Sequence, residues 1–173
     1  SSAASDVYKR QLYHTLPETG KVPLVADISS CICSEPLDVS KFGLLFAGAQ
    51  KNLAPAGLTI VIVREDLVGH AQEITPTMFN YKTHVDGGSM FNTPPCWTIY
   101  ICMMVLDWIQ NTIGGMGEMQ KRNQKKAKLL YDYLDNSKLF RGTVVPEDRS
   151  LMNVPFVTDS DELNAKFVKE STE

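Results

Sequence analysis

No pair among the four cysteines, at positions 31, 33, 96 and 102, has the C-x-x-C spacing of a zinc site or a redox motif. They read as small buried residues of a reducing compartment. The three histidines, His14, His70 and His84, are scattered and form no ligand cluster. Basic charge is not in excess. A formal net charge of -3 argues against nonspecific nucleic-acid binding. The one basic run, "KRNQKKAK" at 121–128, reads as the solvated face of a helix. No apolar run is long enough to span a bilayer, because Asp107 and Trp108 interrupt the best candidate, "WTIYICMMVLDWI". The opening "SSAASDVYKRQ" lacks the apolar centre of a signal peptide, so a cytoplasmic protein is expected. Neither G-x-x-x-x-G-K-[ST] nor G-x-G-x-x-G occurs, which removes P-loop and dinucleotide-binding readings. Internal repeats and low-complexity tracts are also missing.

What is present is the composition of a globular chain. With 43% hydrophobic residues in 173, it can bury the core of one ordinary domain or of a piece of a larger one. "VPLVADIS" (22–29), "FGLLFAG" and "LTIVIV" are short apolar runs and predict buried strands. "SEPLDVSKF" reads as a loop with one helical turn, and "REDLVGHAQEI" as a short helix. "YKTHVDGGSMFNTPP" is a long polar loop of the kind that carries function. Pro94 and Pro95 then open "CWTIYICMMVLDWIQNT", apolar nearly all round and so expected to be buried, which stops at Gly114 and Gly115. Trp97 and Trp108 on it read as core or interface. A second helix, "MGEMQKRNQKKAKLLYDYLDNS", has Met116, Met119, Leu129, Leu130, Tyr133 and Leu134 as its apolar positions. "GTVV" and "LMNVPFVT" predict strands, and "DELNAKFVKEST" a last helix. Strands followed by helices mean an α/β protein. The rhythm changes around 116–137, where a domain boundary is expected.

One short turn raises a chemical question. "FAGAQKNLAPAG" (46–57) places Lys51 among small residues between two apolar runs. A surface lysine covering apolar area with its stem is one reading. A phosphate-binding lysine is a second, though the spacing is wrong for it. The third is an amine nucleophile, which in a desolvated pocket condenses with a carbonyl to form a Schiff base. Pyridoxal 5′-phosphate (PLP) is the commonest carbonyl cofactor held that way, and it needs an acid to keep its ring nitrogen protonated. Asp27 ends the strand "VPLVAD", and ligands of open α/β sheets sit beyond the carboxyl ends of strands. Many strands end in Asp for turn chemistry alone.

"ADISS", "PLDVSKFGLLFAGAQKNLAPAGLTIVIVREDLVG", "GSMFNTPPCWTIY" and "SLMNVPF" occur in an order and at separations that resemble the phosphoserine aminotransferases, class V PLP enzymes of the type I fold. The resemblance runs from about residue 12 to the end and covers roughly half of a family member. It implies that residues 12–125 are part of the PLP-binding large domain and 126–173 the start of the small α/β domain, with 1–11 an unmatched leader. Lys51 would be the lysine that carries the cofactor and moves the proton of the reaction. Asp27 would pair with the pyridine nitrogen, and Gln50 would contact the cofactor beside the lysine. Asn92 and Thr93 would reach the cofactor phosphate of a neighbouring subunit in a homodimer with shared sites. The implied reaction passes the amino group of L-glutamate to 3-phosphohydroxypyruvate, giving O-phospho-L-serine and 2-oxoglutarate in serine biosynthesis. In many bacteria the family also serves pyridoxine synthesis.

Each residue also has a plainer reading: Asp27 as a strand-end cap, Gln50 as a turn residue, Asn92 and Thr93 as a helix N-cap. Ser29 and Ser30 read as loop hydrogen-bonders. Cys31 and Cys33 read as packing. Nothing here corresponds to the family's phosphate loop, its ring-stacking aromatic residue, or the arginine for the substrate carboxylate. The 173 residues alone are therefore expected to be inactive. Another class V PLP enzyme and a noncatalytic dimerisation or binding module stay open as alternatives.

Overall fold

The computed structural model describes Leu12 and residues 14–172. The leader at 1–11 lies outside the described residues. Three strands form the main sheet: β1 (Val25–Asp27), β2 (Leu44–Gly48) and β3 (Thr59–Val63), in the order β1-β2-β3. β1 runs parallel to β2, with Ala26 opposite Leu45 and Asp27 opposite Phe46. β3 runs antiparallel to β2, because the lysine turn joins them directly as a hairpin. β2 alternates as a central strand should: Leu45 and Ala47 are fully buried, and the residues between them are half-buried. The predicted burial of β3 is not observed. Val61 and Ile62 are exposed on what is an edge strand in this chain.

After β3 the expected helix at 64–74 reduces to one 3-10 turn, Glu65–Leu67. Gly69 at φ 93 takes the chain out of helical geometry just beyond it. The segment read as a polar loop contains a short helix, α1 (Tyr81–Asp86). Asn80 caps it by accepting from the Lys82 N–H, and Lys82 pairs with Asp86 one turn on. α2 (Cys96–Asp107) starts after the proline pair and continues as a π-helical turn, Trp108–Ile113. It stops at Gly114, whose φ of 95 suits a residue without a side chain. α2 is not the buried helix its composition predicts. Thr98 and Cys102 face inward with Ile109 and Ile113 of the π turn, while Trp97, Tyr100, Met103, Met104 and Trp108 are exposed.

α3 (Met116–Asn136) carries one inward stripe of Met119, Asn123, Ala127, Tyr131 and Leu134, spaced three or four residues apart. Of the apolar positions expected on this helix, Leu129, Leu130 and Tyr133 are exposed, and the polar Asn123 is buried instead, at 2% exposure. The first half of α3 packs Met119 against Ile109 and Ile113. Its second half gathers Phe140, Leu151, Val154 and Phe156 around Ala127, Tyr131 and Leu134. β4 (Arg141–Gly142) pairs antiparallel with β5 (Phe156–Val157), and α4 (Asp161–Glu170) adds Phe167 edge-on to Phe140 and Phe156. Near the start of the described chain, Leu12 N–H donates to Asp148 O at 2.8 Å and His14 Nε2 lies 3.3 Å from Arg149 O. Residues 12 and 14 are thus joined to the turn at 148–149, 135 positions from His14 to Arg149.

Candidate active site

The core beneath the lysine turn is built from small and aliphatic residues: Ala26, Leu45, Ala47, Ala49 and Leu53 lie in one buried cluster with Cys102 of α2. Ala49 N–H donates to Leu58 O at 2.9 Å and closes the hairpin. Within it, Leu53 and Ala54 both return N–H bonds to Ala49 O at 3.0 Å, winding the turn into a helical coil. Leu53, 2% exposed, plugs this coil into the core and leaves Gln50 and Lys51 on the outside. Gly48 leaves the space that Gln50 uses, since a Cβ there would come within 2.5 Å of Gln50 Oε1.

Asp27 stands at the carboxyl end of β1, on the neighbouring strand. Its Oδ1 accepts Ser29 N–H at 2.9 Å and Ser29 Oγ–H at 2.6 Å. Among the described residues Oδ2 has no hydrogen bond, so one carboxylate oxygen stays open. Cys31 lies within electrostatic reach of both groups. Burial, the Glu35 and Asp27 carboxylates push its thiol up from the ordinary 9.0 to about 11, and the Lys51 ammonium opposes them. The turn that holds Cys31 is gripped from both sides. Asn52 Nδ2 donates to Ile32 O at 2.7 Å, and Asn123 Nδ2 of α3 donates to Ser34 O at 2.8 Å. Between those grips Cys33 adopts φ 57, a strained conformation for a residue with a side chain.

Asp27, Gln50 and Lys51 therefore share the rim formed by the carboxyl ends of β1 and β2. Asn92 and Thr93 do not join them. Both are exposed ahead of α2, with no hydrogen bond to that rim among the described residues, and Asn92 Nδ2 contacts Met78 Sδ at 3.3 Å. They do not cap α2 either, whose N-terminus has no side-chain cap. Lys51 itself is exposed on an open rim rather than sealed in a pocket. A cavity of about 1000 Å³, lined by Leu16, Leu24, Ala26, Ile28, Cys31 and Phe42, contains none of the predicted site residues. Asn52 and Asn123 escaped the sequence reading because their partners are backbone carbonyls far along the chain. The D-x-S spacing at 27–29 was a visible sign of a side chain bonding its own backbone, although not of what else that serine holds.

A profile described as Aminotransferase class-V matches residues 10–172. The chain belongs to the class-V aminotransferases. Similar members of this family include the phosphoserine aminotransferase of Haemophilus ducreyi, 55% identical over 158 residues, 91% of this chain and 43% of that protein. The phosphoserine aminotransferase of Bacillus cereus is 52% identical over 161 residues, 93% of this chain and 44% of that protein. The class-V chain here thus spans less than half the length of the curated relatives it matches. Among solved structures, a phosphoserine aminotransferase studied for radiation damage of its Schiff base superposes with a TM-score of 0.90 at 43% identity, over 98% of this chain and 47% of that one. A PLP-bound phosphoserine aminotransferase from Trichomonas vaginalis gives 0.83 at 32% identity, over 92% of this chain and 46% of that one. The architecture is the corresponding part of the PLP-dependent type I transferase fold. No helix among the described residues is long and apolar enough to cross a membrane.

Proposed function

We propose that these residues are the part of a phosphoserine aminotransferase that carries the cofactor lysine and the acid for the ring nitrogen. The observation that carries the reading is the pair Asp27 and Lys51 at adjacent strand ends of one parallel pair, in a chain similar to phosphoserine aminotransferases. The donor set fits PLP: one amine, one carboxylate with a free oxygen, and small residues between them. When bound, PLP supplies an aldehyde for amines and a pyridinium that withdraws electrons. Lys51 Nζ would hold the cofactor and would move the proton at the substrate Cα. Asp27, through the oxygen its turn leaves open, would hold the proton of the ring nitrogen. Gln50, folded back over Gly48, would lie beside the cofactor next to the lysine.

The donor and acceptor of the amino group are L-glutamate and 3-phosphohydroxypyruvate in this reading, within serine and, in some settings, pyridoxine biosynthesis. Residues 12–125 belong to the large domain and 126–173 to the small one, as the separate core around Phe140 and Phe156 supports. Asn92 and Thr93 would serve the phosphate of a second subunit's cofactor, which accords with their exposure and their lack of a capping role. The exposed apolar side of α2 supports burial against further protein, the homodimer partner included. It equally favours the noncatalytic binding module as a second reading. A cytoplasmic location agrees with four unpaired cysteines. Since Lys51 is exposed and a nucleophilic lysine needs a desolvated site, turnover by these residues alone is expected to be negligible.

Mixing the purified chain with PLP, reducing with borohydride and mapping the adduct by peptide mass spectrometry tests the assignment. A dominant pyridoxyl group on Lys51, lost in Lys51→Ala, supports it. Adducts scattered over surface lysines overturn it in favour of the binding module.

A further inference from the structure

We infer that Ser29 is a positioning residue for Asp27, and that its hydroxyl locks the carboxylate to the strand that leads to Lys51. The inference rests on the reading of Asp27 and Lys51 as a cofactor pair. Its basis is a substitution within the sheet ladder. A parallel ladder continued past Asp27 runs Ile28 N–H to Phe46 O and then Gly48 N–H to Ile28 O. The first bond is present at 2.9 Å. The second is not, because the chain turns at Ile28. Its carbonyl is taken by Cys31 N–H at 3.0 Å and Ile32 N–H at 2.7 Å. Gly48 N–H donates instead to Ser29 Oγ at 2.9 Å. The serine hydroxyl replaces the carbonyl that the turn removed from the ladder.

That hydroxyl has one proton, and it is directed to Asp27 Oδ1 at 2.6 Å. Its lone pair receives Gly48 N–H. A single oxygen therefore joins the carboxylate of β1 to the last residue of β2, three residues before Lys51. The second strand end cannot shift without moving the acid. A control exists in the same chain. Ser40 makes the same two bonds to Asp38 Oδ1, at 3.1 Å from its N–H and 2.6 Å from its Oγ. These arise from local turn geometry, as do the corresponding Ser29 bonds. Only Ser29 adds the link across 19 residues. With Oδ1 held by two donors, Oδ2 is the oxygen left to face a ring nitrogen.

Three variants test this: Ser29→Ala, Ser29→Thr, which keeps the hydroxyl, and Ser40→Ala, which removes only the local turn bond. Two measurements are made on the full chain: amide hydrogen exchange at Gly48 without cofactor, and the concentration dependence of PLP capture at Lys51. Ser29→Ala is expected to speed Gly48 exchange at least tenfold and to weaken PLP capture about tenfold. Ser29→Thr is expected to restore both, and Ser40→Ala to change neither. Unchanged PLP capture in Ser29→Ala overturns the inference, as does a Ser29→Thr chain as impaired as Ser29→Ala. If the wild-type chain puts no PLP on Lys51, the functional reading itself fails. Gly48 exchange then still decides whether the hydroxyl holds the two strand ends.

Discussion

At the scale of single residues, the Cys31 thiol gives a pH-dependent signature of the rim. Held at about 11 in the folded chain, against an ordinary 9.0, it binds its proton more tightly when folded. The stability this contributes is whole below pH 9.0 and is lost as pH rises towards about 11. Urea unfolding of wild type and Cys31→Ser between those limits should show the wild type losing stability more steeply. Parallel curves would mean that the thiol is not buried beside Asp27. The places of Asp27 and Lys51 at neighbouring strand ends were legible in the sequence, because short apolar runs mark where those strands stop. Ser29 and Asn123 were not. Their hydrogen bonds reach 19 and 89 residues along the chain, and no local pattern encodes such a distance.

At the scale of elements, the short apolar runs located all three strands of the main sheet, and the glycine pair located the end of the long apolar helix. The packed face of α3 is not the one its apolar residues mark, for a physical reason. Leu129, Leu130 and Tyr133 are apolar and exposed, whereas the stripe that packs includes Asn123, a polar residue satisfied by the Ser34 carbonyl. Asn123→Ala leaves that carbonyl without its donor, next to the strained Cys33. A loss of about 1–3 kcal/mol in urea unfolding is expected. An unchanged midpoint would show that α3 does not hold the turn. The exposure of α2 and β3 could not be read from composition either, because hydrophobicity states that a surface will be covered but not by which residues.

For the molecule as a whole, the uncovered apolar area predicts behaviour in solution. Trp97 is 68% exposed, and β3 offers an unpaired edge that carries Val61 and Ile62. The isolated chain is expected to self-associate with rising concentration. Replacing Trp97 and Met104 together by lysine should lower the weight-average mass seen in sedimentation equilibrium. A monodisperse monomer of the unaltered chain at high concentration would contradict this.

The bond from Leu12 to Asp148, with His14 beside Arg149, has a consequence for the timing of synthesis. His14 and Arg149 are separated by 135 positions. At a translation rate of about 5–20 residues per second, the opening segment leaves the ribosome roughly 7–27 s before its docking site exists. The sheet and the lysine turn are completed within that interval. The seam between residues 12–14 and 148–149 consequently closes after the sheet and the lysine turn have been made.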